Sequence, residues 1–315
     1  MESTSNQQML DARIVTSYQR LIGLREQGKR LNIPTMRKPL SRLSGKNVSA
    51  FRGRGMTFEE FREYQLGDDV RAIDWNVSQR TGEPHVRLYS EEKEKPVIIC
   101  IDQRQSMFFA TLDTMKSVVA AEVAATLMWS AVKHGERVGA LLLDSDSERW
   151  FTPKRSPWYV SSILRELEQM NNNLAHTSTS SSTKQTDIFL SLSRLDQQNI
   201  KGATIVLISD FSGDVDLWQS SLKRLGRRND IVGVSIHDPM ERSFTVEEKW
   251  VFGNKQGQVS VDKQHGHAIS LFHDKKKAER QVLAKALRQS NLPLVQLTTS
   301  GNHLDELFVQ FATGR

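Results

Sequence analysis

Beyond Pro96 the chain alternates between short, continuous apolar runs and longer amphipathic ones. The apolar runs are ProValIleIleCysIleAsp (96–102), ArgValGlyAlaLeuLeuLeuAsp (137–144), AlaThrIleValLeuIleSerAsp (203–210), AspIleValGlyValSerIleHisAsp (230–238) and ProLeuValGlnLeuThr (293–298). They are not apolar at every second position only, which predicts strands covered on both faces. Segments with helical spacing separate them, at 111–134, 157–170, 187–196, 215–227 and 274–290. From Val118 to Val132 only Glu122, Thr126 and Ser130 are polar, so the first of these helices should be deeply packed. Strands alternating with helices predict an α/β fold, a doubly wound, mostly parallel sheet of the Rossmann type. AspSerAspSer at 144–147 predicts a hairpin that adds an edge strand, and 249–262 predicts a second hairpin turning near Asn254–Gly257.

The chain before Pro96 reads differently. Residues 1–31 carry Leu21, Ile22, Leu24 and Leu31 among polar residues and predict an N-terminal helical segment. From 32 to 95 the sequence is broken by Pro, Gly and Arg, and a smaller separate module is expected there, followed by the main domain at 96–315. Within the module 51–56 reads as a loop. Residues 57–64 read as a short helix capped by Thr57 with Glu60 three residues on, and 85–89 as a strand. The Ser/Thr-rich stretch 177–183 is expected to be a surface loop.

Composition narrows the class. The 315 residues, 38% hydrophobic and 25% charged, suit a soluble globular protein with ample core. A single cysteine, Cys100, excludes an internal disulfide framework and sits in an apolar run as a small core residue. No run is long and apolar enough for a transmembrane helix, and the first residues lack the pattern of a signal peptide, so a cytoplasmic location is expected. The net charge is +6, unevenly spread. Arg20 to Arg54 holds ten Lys or Arg and one acid, Glu26, whereas Glu59 to Asp74 holds six acids and two arginines. The blocks either neutralise one another or present a basic surface to an acidic partner.

Candidate chemistry gathers where strands end. Ligands of doubly wound sheets bind at the carboxyl ends of strands, near the point where the strand order reverses. Asp102 and Asp210 would share that edge. With Ser106 and a hydroxyl from the loop holding Thr186 they would suit a hard dication such as Mg²⁺, which takes oxygen ligands. The loop Asp102-Gln-Arg104-Gln-Ser106, ThrAsp at 186–187 and IleSerAsp at 208–210 resemble the von Willebrand factor A fold. The resemblance implies a metal-ion-dependent adhesion site built from Asp102, Ser106, Thr186 and Asp210. The family has a serine at the middle loop position, where this chain has Arg104. A guanidinium there stays charged, repels a dication and can pair bidentately with Asp102 or Asp210. Arg104 is therefore the candidate for a cation that replaces the metal, and the site reads as a degenerate one.

The stretch 44–87, with ArgGlyArgGly, ArgGluTyrGlnLeuGlyAspAspValArg, IleAspTrp and ArgThrGly, closely resembles the bacterial family called domain of unknown function 58. That resemblance implies a non-enzymatic adaptor or cofactor of a MoxR-type AAA ATPase, or of its client protein, in protein maturation. Arg52, Arg54, Asp68, Asp69, Arg71 and Asp74 are its partner-binding candidates. The acids are alternatively a network of ion pairs and turn hydrogen bonds, with Trp75 a packing anchor. Two other functions stay open: nucleic-acid binding through the basic 20–54 segment, with little aromatic interleaving to support it, and a divalent-metal-dependent hydrolase using Asp102 and Asp210. No phosphate-binding GxxxxGK[ST] loop is present, so ATP hydrolysis by this chain is not expected. His265 and His267 lack an acid or thiol neighbour that would make them metal ligands.

Overall fold

The computed structural model describes residues 11–31, 48–49, 56–91, 95–176, 188–198, 200–212, 215–241, 250–254, 257–261 and 292–313, with a few helical residues between 270 and 285. The chain forms two compact units: Lys38–Glu94, and Met1–Arg37 together with Lys95–Arg315. The elements in chain order begin with α1 (Tyr18–Gly23) and α2 (Arg25–Gly28). The smaller unit follows with β1 (Val48–Ser49), β2 (Met56–Glu63), α3 (Trp75–Thr81) and β3 (His85–Glu91). The larger unit continues with β4 (Val97–Asp102), α4 (Lys116–Lys133), β5 (Val138–Leu143), β6 (Glu148–Lys154), α5 (Pro157–His176) and α6 (Ile188–Gln197). It ends with β7 (Thr204–Ser209), α7 (Val215–Gly226), β8 (Asp230–His237), β9 (Trp250–Asn254), β10 (Gly257–Val261), β11 (Leu294–Thr298) and α8 (His303–Thr313).

The main sheet has six strands in the order β11-β8-β7-β4-β5-β6. All neighbours are parallel except the edge pair β5–β6, which is antiparallel, as the 144–147 turn predicts. All five apolar runs are strands of this sheet, and β9 and β10 form the second hairpin. Successive residues of β4 face opposite sides. Val97, Ile99 and Ile101 pack with α4, α5 and α8, while Ile98 and Cys100 pack with Leu192 and Leu195 of α6 and Leu222 and Leu225 of α7. Helices on both faces are the physical reason these strands are near-continuous apolar runs. The chain leaves β4 toward β5 and later returns to the other side of β4 as β7, so the strand order reverses between β4 and β7.

The N-terminal segment packs into the larger unit. Leu21, Leu24 and Leu31 are buried against α4, each contributing roughly 1.5–3 kcal/mol by removal from water. Gly28 permits this approach, because a Cβ there would lie 2.7 Å from the Thr126 carbonyl and from the Trp129 Cβ. Trp129 Nε1 donates to the Leu21 carbonyl (3.1 Å) and Ser130 Oγ to that of Leu31 (2.8 Å), so two side chains of α4 hold the incoming segment. No helix among the described residues is long and apolar enough to cross a membrane.

Two expectations are corrected. Residues 57–64 are not a helix: Met56–Glu63 is a strand paired antiparallel with β3, with a bulge between Phe58 and Glu60. The local capping signal loses to cross-strand pairing, which a Thr- and Phe-bearing segment supports. The helix of this unit is instead α3, begun by Asp74 and stopped by Gly82 at φ 85°. Trp75, expected as a packing anchor, is 62% exposed. The loop 177–183, and His265 and His267, lie outside the described residues.

Candidate functional site

Asp102 closes β4 at the point where the strand order reverses, and its side chain is fully buried. Four donors saturate its carboxylate. Oδ1 accepts the Arg104 backbone N–H (3.0 Å) and the Arg104 Nε–H (2.9 Å). Oδ2 accepts Arg104 Nη2 (2.7 Å) and the Ser209 hydroxyl (2.7 Å). A carboxylate has about four lone-pair sites, so none is left over. Arg104 reaches back only two residues to make a bidentate pair, and its side chain is 16% exposed. Ser209 ends β7, so its bond to Asp102 spans the reversal point itself.

The neighbouring loops hold this pair in place. Ser209 Oγ also accepts the Phe211 N–H (2.9 Å), and Phe211 sits at φ 52°, a left-handed conformation that is an outlier for a bulky residue. Its ring is buried in the core on the α6–α7 face, which fixes that conformation. Asp210 is half-buried and accepts the Ser212 N–H (2.9 Å). Ser106 lies exposed in the turn Gln105–Met107. The Gln105 N–H donates to Ser145 Oγ (3.0 Å), tying this turn to the loop after β5. There burial, with Asp146 nearby, pushes the Asp144 carboxyl above its ordinary range. Behind the turn runs a buried amide chain: Thr16 N–H to Asn171 Oδ1, Asn171 Nδ2 to Gln103 Oε1, and Gln103 Nε2 to the Ser117 carbonyl.

Asp102, Arg104, Ser106 and Asp210 thus share the carboxyl edge of the sheet, and Thr186 lies outside the described residues. The donor set as folded does not suit a hard dication. Its one buried carboxylate is filled by a guanidinium and a hydroxyl, and a metal would have to displace a charged, tethered side chain.

Sequence reading missed several other buried polar groups at this edge. Asp238, just beyond β8, is fully buried. It accepts Thr111 N–H (2.8 Å), the Thr111 hydroxyl, Thr299 Oγ1 (2.7 Å) and Met240 N–H (2.9 Å). Burial works to raise its pKa, but these hydrogen bonds outweigh it and the carboxyl is held below its usual range. Lys116, 2% exposed, pairs with Glu241 (2.7 Å) and lies over the Phe109 ring. In α4, Glu122 is paired with Arg20 (2.5 Å) and with His303 Nε2 (3.0 Å), joining α1 and α8 to the central helix. The one available signal for it was a lone acid in an otherwise apolar helix.

The remaining candidates belong to the smaller unit. Asp68 accepts Arg62 Nη2 on both oxygens (2.8 Å each) and the Gln65 N–H (2.8 Å). The Gln65 bond, with Arg62 behind it, overcomes burial and lowers its pKa. Asp69 accepts the Arg71 N–H (2.9 Å) in a tight turn, and Arg71 is exposed. Asp74, 6% exposed, caps α3 through Asn76 and Val77 and pairs with Arg87, which lowers its pKa against the effect of burial. Three of the four thus hold local turns and pairs. Arg52 and Arg54 lie outside the described residues.

The profile of the family described as "Protein of unknown function DUF58" matches residues 60–283, from within β2 to beyond β10. The chain belongs to the DUF58 family. Among its relatives are the uncharacterized proteins Rv1480 of Mycobacterium tuberculosis and Mb1516 of Mycobacterium bovis. Each is 25% identical over 274 residues, covering 87% of this chain and 84% of the relative. Among solved structures, the conserved hypothetical protein BatB of Bacteroides thetaiotaomicron aligns with a TM-score of 0.37 and 12% identity. It covers 69% of this chain and 97% of that one, a loose likeness.

Proposed function

We propose that this DUF58 protein is a non-enzymatic protein-interaction module of von Willebrand factor A-like type. Its carboxyl edge is a degenerate metal-ion-dependent adhesion site in which Arg104 stands in for the metal. The observation that carries the reading is the saturation of Asp102 by Arg104 and Ser209 at the reversal point. A resident cation keeps the loop ordered without a divalent ion and sits at the edge, where an acidic residue of a partner would complete the shell of a metal. The partner class is a MoxR-type AAA ATPase or its client, the expectation that the family resemblance supplies.

The test is a direct titration of the protein against a MoxR-type ATPase from the same genome, comparing wild type with Arg104→Ala. The reading expects binding by wild type and a loss of at least about tenfold in the variant. That is the scale of removing one charge-assisted contact. A melting curve on the same sample separates lost contact from lost fold. Equal affinities, or no binding by the wild type, sink the reading.

A further inference from the structure

The opposite edge of the main sheet carries a different charge. The turns leading into the parallel strands line up there, because Val97 N–H bonds to the Arg137 carbonyl (2.7 Å), Thr204 N–H to Pro96 (2.9 Å) and Asp230 N–H to Ala203 (2.9 Å). β6 runs antiparallel and delivers Lys154 to the same edge, opposite Val138. The end of α4 brings Lys133, the turn before β5 brings Arg137, and the end of β6 brings Lys154 and Arg155. Lys201 precedes β7, and Arg227 and Arg228 precede β8. These seven side chains are exposed, and half-buried Lys95 precedes β4. Against them the described turns and helix ends offer three acids, Glu136, Asp196 and Asp230; Asp196 pairs with Arg224 (3.1 Å) and Asp230 with Lys95 (3.5 Å). With strands about 4.8 Å apart, the row from β6 to β8 spans about 19 Å. At its end the first turn of α5 presents Trp158, 86% exposed, and Lys154 lies over the neighbouring Tyr159 ring (4.7 Å).

We infer that this amino-side edge is a docking face for an anionic lipid surface. The row is a sheet edge that needs no groove, and basic residues near a negatively charged leaflet each add to attraction. An exposed tryptophan beside cations is the side chain that settles at the headgroup level. Single-stranded nucleic acid would call for a series of aromatic platforms, and among the described residues Trp158 is the one large exposed aromatic on this edge. An acidic protein partner would call for an apolar centre ringed by charge, whereas the apolar group here lies at the end of the row.

The experiment is co-sedimentation of the full chain with vesicles of phosphatidylcholine alone or with added phosphatidylglycerol. Binding is expected with the anionic vesicles, weakening as salt is raised. The triple variant Lys154→Ala, Lys201→Ala, Arg227→Ala should partition roughly a hundredfold more weakly, about fivefold per charge. The matching Lys154→Arg, Lys201→Arg pair should bind like wild type, and Trp158→Ala should lose part of the binding. The alanine sites are exposed, so melting curves should coincide with wild type. Equal partition onto neutral and anionic vesicles, no partition onto either, or undiminished binding by the triple variant overturns the inference. So does retention by an oligonucleotide or polyglutamate at a salt concentration where anionic vesicles no longer bind.

Discussion

Asp102 and Asp238 are two fully buried carboxylates on the same edge of one sheet, and they are kept there by opposite means. Asp102 faces a guanidinium: three of its four hydrogen bonds come from Arg104, two residues away. Asp238 faces hydroxyls and backbone N–H groups of Thr111, Thr299 and Met240, drawn from the loops after β4, β8 and β11. The second arrangement is a staple that knits three loops. The first adds little connection beyond Ser209, since its main donor belongs to its own loop. A fold that can hold a buried carboxylate with neutral donors has no need of a cation for stability alone. The cation beside Asp102 therefore asks for a different explanation, and the proposed stand-in for a metal at the reversal point would supply one.

The comparison breaks most visibly if the charge is removed. Arg104→Met keeps the length of the side chain and leaves Asp102 buried without its cation, which should cost about 3–5 kcal/mol in denaturant unfolding. Adding Asp102→Asn to that variant should recover part of the loss, because the orphaned charge goes with it. Cys100, two residues back on β4, offers a second readout. Burial pushes its thiol up to about 12, so alkylation should be very slow in wild type and faster in Arg104→Met. Equal stabilities would mean that the pair is ornamental.

A smaller effect is expected at the staple. Thr299→Val removes one neutral donor from Asp238 and should cost about 1–2 kcal/mol. Its pH dependence sharpens the contrast. Because the folded carboxyl lies below its ordinary value, its stabilisation is complete above the unfolded pKa of about 3.9 and is lost as pH falls through the folded one. Thr299→Val should therefore flatten the acid limb of the stability profile while Cys100 stays slow to alkylate. An unchanged acid limb would remove the Thr299 hydroxyl from the account.

The layered fold was legible because strands buried on both faces read as near-continuous apolar runs, and β4, β5, β7 and β8 are buried along their length, save the two ends of β8. The anomaly of Arg104 was legible too, because Asp102 and Arg104 are neighbours in the chain and a guanidinium cannot discard its charge. Other contacts join residues far apart and leave no local trace. His303 meets Glu122 across 181 positions, and Thr111 meets Asp238 across 127. Met56–Glu63 was misread for a related reason: a capping signal is local, whereas the pairing with β3 that decides the element is not. The cationic edge escaped notice because its charges are spread over separate turns and come together only when the strands lie parallel.

In the proposed reading Arg104 occupies the place of a cation. Its most direct test is the thermal midpoint of wild type and of Arg104→Ser, which restores the serine of the metal-binding pattern, each with and without Mg²⁺. The account predicts a wild type indifferent to Mg²⁺ and a variant that is less stable alone and regains stability as Mg²⁺ is added. A wild type stabilised by Mg²⁺ as strongly as the variant would contradict it.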